Sequence, residues 1–193
     1  GTTSVGVIGS GTEIGTLSIG SDENGGITLN GAITTDGVVT LDGPITLATG
    51  AISITTADDN INLQGTVDGN QSLTLASGSG GVTVDGAIGS GTGTALTSFT
   101  VNSSGAGTIE IANIGTTSAS GVTGATAIGN TNTGTLTLDG TVYTTNAATY
   151  TAATGENIDL TGGATTTFTS SNDDITFETC LLYTSDAADD GHS

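Results

Sequence analysis

The chain has 193 residues, 33 of them Gly, no Lys or Arg, and a formal net charge of −19. Since phosphate groups are bound mainly through Lys and Arg, this composition argues against nucleic acids and anionic lipid surfaces as partners. Every carboxylate also lacks a cationic side chain to pair with, so nearly all are expected in solvent or on a metal ion. No apolar run approaches the roughly 18 residues of a transmembrane helix, so no membrane insertion is predicted.

One short pattern recurs along the chain: two alternating aliphatic residues, a Gly, and a further small or aliphatic residue. It reads I-T-L-N-G-A-I (27–33), V-T-L-D-G-P-I (39–45), I-N-L-Q-G-T-V (61–67), V-T-V-D-G-A-I (82–88), L-T-L-D-G-T-V (136–142) and I-D-L-T-G-G-A (158–164). Apolar–polar alternation predicts strands, and the Gly predicts a sharp turn after each one. Three steps between these glycines are 22, 21 and 22 residues long, and the step of 12 from Gly31 to Gly43 predicts a shortened coil.

Further short alternating segments lie between these units and predict additional strands. They are T-L-S-I (16–19), I-S-I (52–54), S-L-T-L (72–75), S-F-T-V (98–101) and I-E-I (109–111). The segments between them are rich in Gly, Asn and Asp, which favour tight turns. A period near 21 residues therefore accommodates about three strands and three turns.

These features predict an all-β fold, a parallel β-helix or β-solenoid with about 20–22 residues per coil and no significant helix. A single coil cannot bury its own Leu, Ile and Val, but stacked coils can, with strands paired about 4.8 Å apart. About eight coils would form a rod roughly 40 Å long by the same spacing. The alternative of immunoglobulin-type sandwiches is disfavoured by the regular repeat and the absence of Trp.

The cadence of S-L-T-L-A-S-G-S-G-G-V-T-V-D-G-A-I-G (72–89), followed by L-T-S-F-T-V-N-S-S-G-A-G-T-I-E-I (96–111), resembles the repeat region of filamentous-haemagglutinin-like bacterial adhesins. The resemblance extends over roughly residues 15–178. It implies a right-handed coil, an extracellular or cell-surface location, export through a partner outer-membrane channel, and a non-catalytic stalk that contributes to cell adhesion. Glycans or proteins of host or neighbouring cells are then the candidate partners. No functional residue of that family maps onto this stretch.

The end of the sequence has a different character. Residues 180–190, C-L-L-Y-T-S-D-A-A-D-D, contain the only Cys, and the only His follows them. This stretch resembles the translation of a transposon-end adapter used in sequencing libraries; a genuine C-terminal segment is the alternative. We expect residues 180–193 to be a non-native, disordered tail. Residues 1–179 are expected to form a single solenoid segment, a fragment of a longer chain whose repeat pattern is already under way at Gly1.

Catalytic chemistry has few candidate residues in this chain. Without His or Lys before residue 180, a Ser or Thr nucleophile has no ordinary base, and zinc has no customary ligand. Glycoside hydrolysis needs two carboxylates beside one sugar site, and Asp42 with Asp85, which occupy the same position in their units, are the pair that stacking could bring together. We predict that the chain is not an enzyme and keep a β-helical carbohydrate-binding or carbohydrate-active module as the alternative.

Calcium is the one cofactor that the acidic turns suggest, since it takes oxygen ligands. The candidate ligands are Asp22, Asp58, Asp59, Asp173 and Asp174. The alternative interpretation is that these residues form turns and keep their charges in solvent. Repeated Thr on strands, as in T-L-T-L (135–138) and T-T-T-F-T (165–169), raises an ice-binding solenoid as a third hypothesis.

Overall fold

The computed structural model describes residues 1–20, 25–178 and 181–184 of the chain. The described residues form an all-β solenoid of about seven turns with parallel sheets and no helix, as predicted. The strands are β1 (Thr3–Val5), β2 (Leu17–Gly20), β3 (Ile27–Leu29), β4 (Ile33–Thr35), β5 (Val39–Asp42), β6 (Ile45–Leu47), β7 (Ile52–Thr56), β8 (Ile61–Leu63), β9 (Val67–Asp68), β10 (Ser72–Ala76), β11 (Val82–Val84), β12 (Ser98–Asn102), β13 (Ile109–Ile111), β14 (Val122–Ile128), β15 (Leu136–Leu138), β16 (Val142–Thr151), β17 (Asn157–Leu160), β18 (Thr167–Ser170), β19 (Ile175–Glu178) and β20 (Leu181–Thr184).

Three faces run along the solenoid, and each coil passes through them in the same order. Face A contains β1, β3, β6 and β9, then single-residue bridges at Ile88 and Ile114, the start of β16, and β18. Face B contains the bridge at Ile8, then β4, β7, β10, β12, β14, the end of β16, and β19. Face C contains β2, β5, β8, β11, β13, β15, β17 and β20. Within the described residues each face therefore has eight rungs, and β16 spans two faces.

The coil length is confirmed for most of the rod and differs in the middle. On face C the paired positions run Leu17, Val39, Ile61, Val82, Ile109, Leu136 and Ile158, which gives steps of 22, 22, 21, 27, 27 and 22 residues. The two long coils carry their extra residues in segments 89–97 and 115–121, between face A and face B. An insertion at a corner is tolerated because it leaves the paired strands in register.

The expected shortened coil between Gly31 and Gly43 is wrong. Gly31 lies between β3 and β4, at the corner from face A to face B, whereas Gly43 lies between β5 and β6, at the corner from face C to face A. The two units look alike in sequence because both corners join short strands through a tight turn. The 12-residue step is therefore a move to a different corner of a coil of ordinary length.

The interior consists of columns of inward side chains stacked from coil to coil. On face C the column of Val39, Ile61, Val82, Ile109 and Leu136 is almost completely buried. Aromatic rings replace the aliphatics in the last coils, where Tyr143 stacks on Phe168 with ring centroids 5.0 Å apart and Tyr150 on Phe177 at 5.1 Å. Stacking of like side chains at the strand spacing is what buries the apolar surface that a single coil would leave exposed.

Glycine at the corner from face C to face A is required by the contact between coils. A Cβ added at Gly65 would lie 2.1 Å from the carbonyl oxygen of Gly43, and one added at Gly86 would lie 2.2 Å from the carbonyl carbon of Gly65. The backbones of successive coils therefore touch at this corner with no room for a side chain. In one coil Asn113 takes this place, and its side-chain oxygen accepts hydrogen bonds from the N–H groups of Thr141 and Val142 at 2.8 and 2.9 Å.

The disordered tail, residues 180–193, stays a prediction; within it Leu181–Thr184 form β20, which pairs in parallel with β17. The physical reason is that β17 would otherwise present unpaired backbone groups, and a short segment of strand-forming residues follows at nearly one coil length. Thr179, Cys180 and residues 185–193 lie outside the described residues. The proposed adapter origin of the tail stays a prediction.

Candidate functional site

Outward side chains form regular columns, because alternate residues of each strand point away from the core. On face B the middle column reads Ser53, Thr74, Thr100, Ala127, Thr149 and Thr176. On face C it reads Ser18, Thr40, Asn62, Thr83, Glu110, Thr137 and Asp159. Face B therefore presents small hydroxyl or methyl groups, and face C adds two carboxylates towards its C-terminal end.

The carboxylates of Asp42 and Asp85, which stacking could bring together, are separated by an intervening coil. Asp42 and Asp85 do share one column at the end of face C, but Gln64 of the intervening coil lies between them. At about 4.8 Å per coil their backbone positions are roughly 10 Å apart, and both residues are exposed. The two side chains would have to lean towards each other, past Gln64, to bring their carboxyl groups to the ~5–5.5 Å of a retaining glycosidase pair.

The same alternation continues along this column. Asp139 follows Asp85 after one coil that carries Ala112, so an acidic residue occurs in every second coil. A spacing of roughly 10 Å is about one Debye length at 0.1 M salt, which weakens repulsion between like charges. Because the chain has no basic residues, this spacing limits the repulsion between acidic residues in a regular stack of coils.

Asp58 of the calcium hypothesis belongs to a turn that is bound to the next coil. Its Oδ1 accepts a hydrogen bond of 2.9 Å from the N–H of Ser79, and this bond lowers the pKa of the Asp58 carboxyl below its ordinary value of 3.8. Asn60 in the same turn accepts one of 2.8 Å from the N–H of Gly81. Asp59 uses its backbone carbonyl to accept a hydrogen bond from the hydroxyl of Thr56. These contacts give the turn a structural task that needs no metal.

Asp173 and Asp174 lie elsewhere, between β18 and β19 at the corner from face A to face B. Asp173 Oδ1 accepts a hydrogen bond of 2.9 Å from the N–H of Asp174, and the Ser170 hydroxyl accepts one of 3.0 Å from the N–H of Asp173. Asp22 lies outside the described residues. Within residues 1–20, 25–178 and 181–184, no three His, Cys, Asp or Glu residues are grouped so as to hold a metal ion.

A ladder of buried hydroxyls closes the corner from face B to face C, and sequence reasoning missed it. Thr56, Ser77 and Ser103 occupy equivalent positions in successive coils and are almost completely buried. The hydroxyls of Ser77 and Ser103 both donate to the carbonyl of Gly80, at 2.7 and 2.8 Å. In the next coil Thr133 donates to the carbonyl of Ser103 at 2.9 Å. The available signal is a Ser or Thr that follows an apolar–x–apolar–x segment and precedes a Gly- or Asp-rich turn.

The inserted segments of the two long coils project at the corner from face A to face B. Asp68 of the preceding coil holds the first of them, since its Oδ1 accepts hydrogen bonds from the Gly91 N–H at 3.1 Å and from the Thr94 hydroxyl at 2.6 Å. In the second, the Thr116 hydroxyl accepts from the N–H of Ala119 at 3.1 Å. The first segment is thus held by a carboxylate of the preceding coil, and the second by its own Thr116 hydroxyl.

Taken together, the described polar side chains bind the neighbouring coil or form separate columns, and they do not converge on one point. The chain matches no protein-family model, no curated protein and no solved structure. No helix with the length and apolarity needed to cross a membrane occurs among the described residues.

Proposed function

We propose that this chain is a structural shaft segment of a large secreted or surface-displayed bacterial adhesin, and that it is non-catalytic. The observation that carries the proposal is the use of the polar side chains. Asp58, a calcium candidate from the sequence, accepts a hydrogen bond from the backbone of a later coil, and so do Asp68 and Asn113. A surface whose polar groups hold successive coils together suits a spacer better than a binding pocket.

A shaft works through its length and stiffness. Each coil adds about 4.8 Å along the axis, so eight rungs span roughly 40 Å, and more coils extend the rod without changing its cross-section. The buried columns and the parallel ladders resist bending because any bend would open strand pairing on one face. The proposal takes three further elements from the adhesin resemblance. These are a cell-surface location, export through a partner outer-membrane channel, and a contribution to the binding of glycans or proteins on host or neighbouring cells.

Surface display tests the spacer function. A bacterial anchor would carry the chain with a short peptide tag at its tip, as one copy or two tandem copies, beside Gly/Ser linkers of about 50 and about 100 residues, whose r.m.s. spans are roughly 40 and 55 Å. We expect antibody-coated beads to reach the tag through a polymer layer better with the second copy, and this gain to exceed the gain from doubling the linker, because a rod doubles its length whereas a flexible coil lengthens only as the square root of its residue number. An equal gain for the rod and the linker would contradict the proposal.

A carbohydrate-active module is the second candidate, and the exposed acidic column of Asp42, Asp85 and Asp139 is the observation that favours it. The test is a panel of neutral and charged polysaccharides incubated with the purified chain, with released sugar ends as the readout. The shaft proposal predicts none. Sugar release that is lost in the Asp85→Asn variant would replace the shaft proposal with an enzyme.

Ice binding is the third candidate, on the strength of the hydroxyl-bearing column of face B, including Thr74, Thr100 and Thr149. A regular array of this kind would have to arrest ice growth in solution. The shaft proposal predicts no thermal hysteresis, and a measurable hysteresis that is lost in Thr100→Lys would support ice binding instead.

A further inference from the structure

We propose that Asn30 and several Asp residues that precede Gly at corners of the solenoid are modified spontaneously, through a succinimide ring closed by the nitrogen of the following Gly. The state of the Gly N–H selects the sites: a free N–H permits the reaction, and an N–H held in a hydrogen bond slows it. The modification is independent of the shaft function, since it follows from the local structure of each corner.

Each candidate site is an Asn or Asp followed directly by Gly. Gly favours ring closure because no Cβ crowds its nitrogen. Asn30 is the one Asn in the described part of the chain that precedes Gly. The described pairs are Asn30 with Gly31, Asp36 with Gly37, Asp42 with Gly43, Asp68 with Gly69, Asp85 with Gly86, and Asp139 with Gly140. Because the Asp pairs share this dipeptide, the surroundings of each Gly nitrogen distinguish them.

The reaction joins the Gly nitrogen to the side-chain Cγ of the preceding residue. At Asn30 the nitrogen of Gly31 attacks Cγ, its proton passes to the departing Nδ2, and ammonia leaves. Water then opens the ring at either carbonyl, which gives Asp or isoaspartate at position 30. At Asp85 the nitrogen of Gly86 displaces a side-chain oxygen as water, and the same ring opening follows. Because both reacting groups belong to adjacent residues, the ring closes in a unimolecular step.

The Gly N–H groups of these pairs fall into two classes. Those of Gly31, Gly37, Gly43 and Gly86 donate to no described residue, and the side chains that precede them are exposed. Those of Gly69 and Gly140 donate to the Thr94 carbonyl at 3.0 Å and to the Tyr143 hydroxyl at 2.8 Å. A bonded N–H must lose its partner before the nitrogen can attack, so we assign the reaction to the first class.

Asn30 should react first at neutral pH. A carboxamide is attacked directly, whereas the carboxylate of Asp repels a nucleophile until it is protonated. The Nδ2 of Asn30 donates to the Ser4 hydroxyl oxygen at 2.9 Å, so a hydroxyl group lies next to the nitrogen that departs. That hydroxyl can pass a proton to the leaving group, which favours its release as ammonia.

Asp139 provides the contrast with Asp85, because both occupy the same position in their units. The Tyr143 hydroxyl that accepts from the Gly140 N–H donates in turn to the Ile111 carbonyl at 2.8 Å. Gly140 is buried as well, whereas Gly86 is half-buried. Tyr143 therefore withholds the nitrogen that the reaction at Asp139 requires.

The modification changes both the charge and the backbone of a corner. Deamidation of Asn30 adds a carboxylate to a chain whose net charge is already −19. Isoaspartate adds a methylene group to the backbone. At Gly86 the coils are in contact, since an added Cβ would lie 2.2 Å from the carbonyl carbon of Gly65. Isoaspartate at position 85 therefore displaces this corner.

The first test is ageing of the full chain in mildly alkaline buffer, followed by peptide mass spectrometry. A protease that cuts after Asp and Glu releases residues 24–36 from the unmodified chain, and fragment ions separate Asn30 from Asn24, which also precedes Gly and lies outside the described residues. We expect Asp and isoaspartate at position 30 and an unchanged Asn62, which precedes Leu63. Direct hydrolysis gives Asp alone, so an unmodified Asn30 or Asp without isoaspartate would overturn the proposal.

The second test compares Asp85 with Asp139 in mildly acidic buffer, where carboxyl groups are protonated in part. In the folded chain we expect isoaspartate to form at least about fivefold faster at Asp85, the rate equivalent of about 1 kcal/mol for the hydrogen bond of Gly140. In urea, where both corners are open, the two rates should be similar. Equal rates in the folded chain would overturn the proposal, and so would a ratio that urea leaves unchanged.

Tyr143→Phe examines the protecting contact directly, because it removes the hydroxyl and keeps the ring. We expect the rate at Asp139 to rise towards that at Asp85 in the same chain, which serves as the internal control. An unchanged rate at Asp139 in a folded variant would overturn the role of Tyr143. If circular dichroism shows that the variant does not fold, the comparison of the unaltered chain with and without urea decides the question.

Discussion

The carboxylate of Asp58 accepts a hydrogen bond of 2.9 Å from the backbone N–H of Ser79, one coil further along the chain. The pair joins two stacked turns at the corner from face B to face C. In a chain without a single Lys or Arg, Asp58 and Asp68 thus have backbone N–H groups of a later coil as partners.

Removing the charge of Asp58 should make the stability of the protein less dependent on pH. The backbone N–H of Ser79 lowers the pKa of Asp58 in the folded chain, so its contribution is present above about pH 4 and is lost as pH falls through the folded pKa. We expect Asp58→Asn to be less stable than the unaltered chain at pH 7 and equally stable near pH 2. Urea unfolding across this range measures the difference. Asp85→Asn controls for the loss of one negative charge, and a gap that persisted at pH 2 would contradict the account.

Two buried threonines should respond in opposite directions to the same substitution. Thr126 is buried in the face B column and its Oγ1 has no hydrogen-bond partner among the described residues, whereas the equally buried Thr133 donates to the Ser103 carbonyl and accepts from the Asn130 N–H. Thr126→Val should stabilise the fold by about 1 kcal/mol, and Thr133→Val should destabilise it by about 1–3 kcal/mol. Equilibrium unfolding in urea gives both values. A loss of stability in Thr126→Val would mean that its hydroxyl is satisfied in solution.

The contact between coils at the Gly corner predicts a large cost for one added methyl group. A Cβ at Gly65 would meet the Gly43 carbonyl at 2.1 Å, while one at Gly20 would meet no described residue within 4 Å. We expect Gly65→Ala to lower the free energy of unfolding by about 2–3 kcal/mol or more, and Gly20→Ala to change it little. Denaturant midpoints of the two variants provide the comparison. Similar midpoints would show that the coils are not in contact at this corner.

The buried tyrosines should resist ionisation until the protein unfolds. Burial raises the pKa of Tyr143 and of Tyr150 far above the ordinary value near 10, and Tyr143 also donates to the Ile111 carbonyl at 2.8 Å. Because both folded pKa values are raised, the stability that they contribute is complete below pH 10 and is lost as pH rises beyond it. Absorbance at the phenolate band should therefore change for these two residues together with the loss of circular dichroism. Ionisation of Tyr143 or Tyr150 in the folded chain would contradict their burial.

Much of the fold is predictable because each coil repeats a simple physical requirement. Apolar–polar alternation identifies strands such as Ile61–Leu63 and Val82–Val84, and the spacing of Gly65 and Gly86 indicates one coil. Parallel stacking follows, since short strands at a fixed period have no other way to bury their single apolar face.

Other features depend on contacts that alternation does not encode. Gly31 and Gly43 look equivalent in sequence but lie at different corners. In Val122–Ile128 the alternation is weak, and the register shift between Val122 and Ala125 determines that Thr126 points inward. In the sequence, Ser77 and Ser103 are ordinary turn residues. The structure shows that the hydroxyls of both donate to the carbonyl of Gly80.

For the candidate site residues, too, the sequence predicts some relationships and misses others. The repeat pattern places Asp42 and Asp85 at the same position of their units, and the structure shows that Gln64, which has this position in the intervening unit, separates them. The sequence singles out Asp58 and Asp59 as candidate calcium ligands because they belong to an acidic turn, and the structure adds a backbone partner for Asp58; calcium binding stays a prediction. In the sequence of a repeat protein, polar residues can thus resemble a binding site although they contact the neighbouring coil in the structure.

One long sequencing read through this locus, from well upstream of Gly1 to well past Thr179, tests the shaft proposal most directly. The account predicts that the alternating repeats continue on both sides, that an export domain lies upstream, and that repeat sequence replaces residues 180–193. A short gene that encodes Cys180 to Ser193 and no further repeats would contradict it.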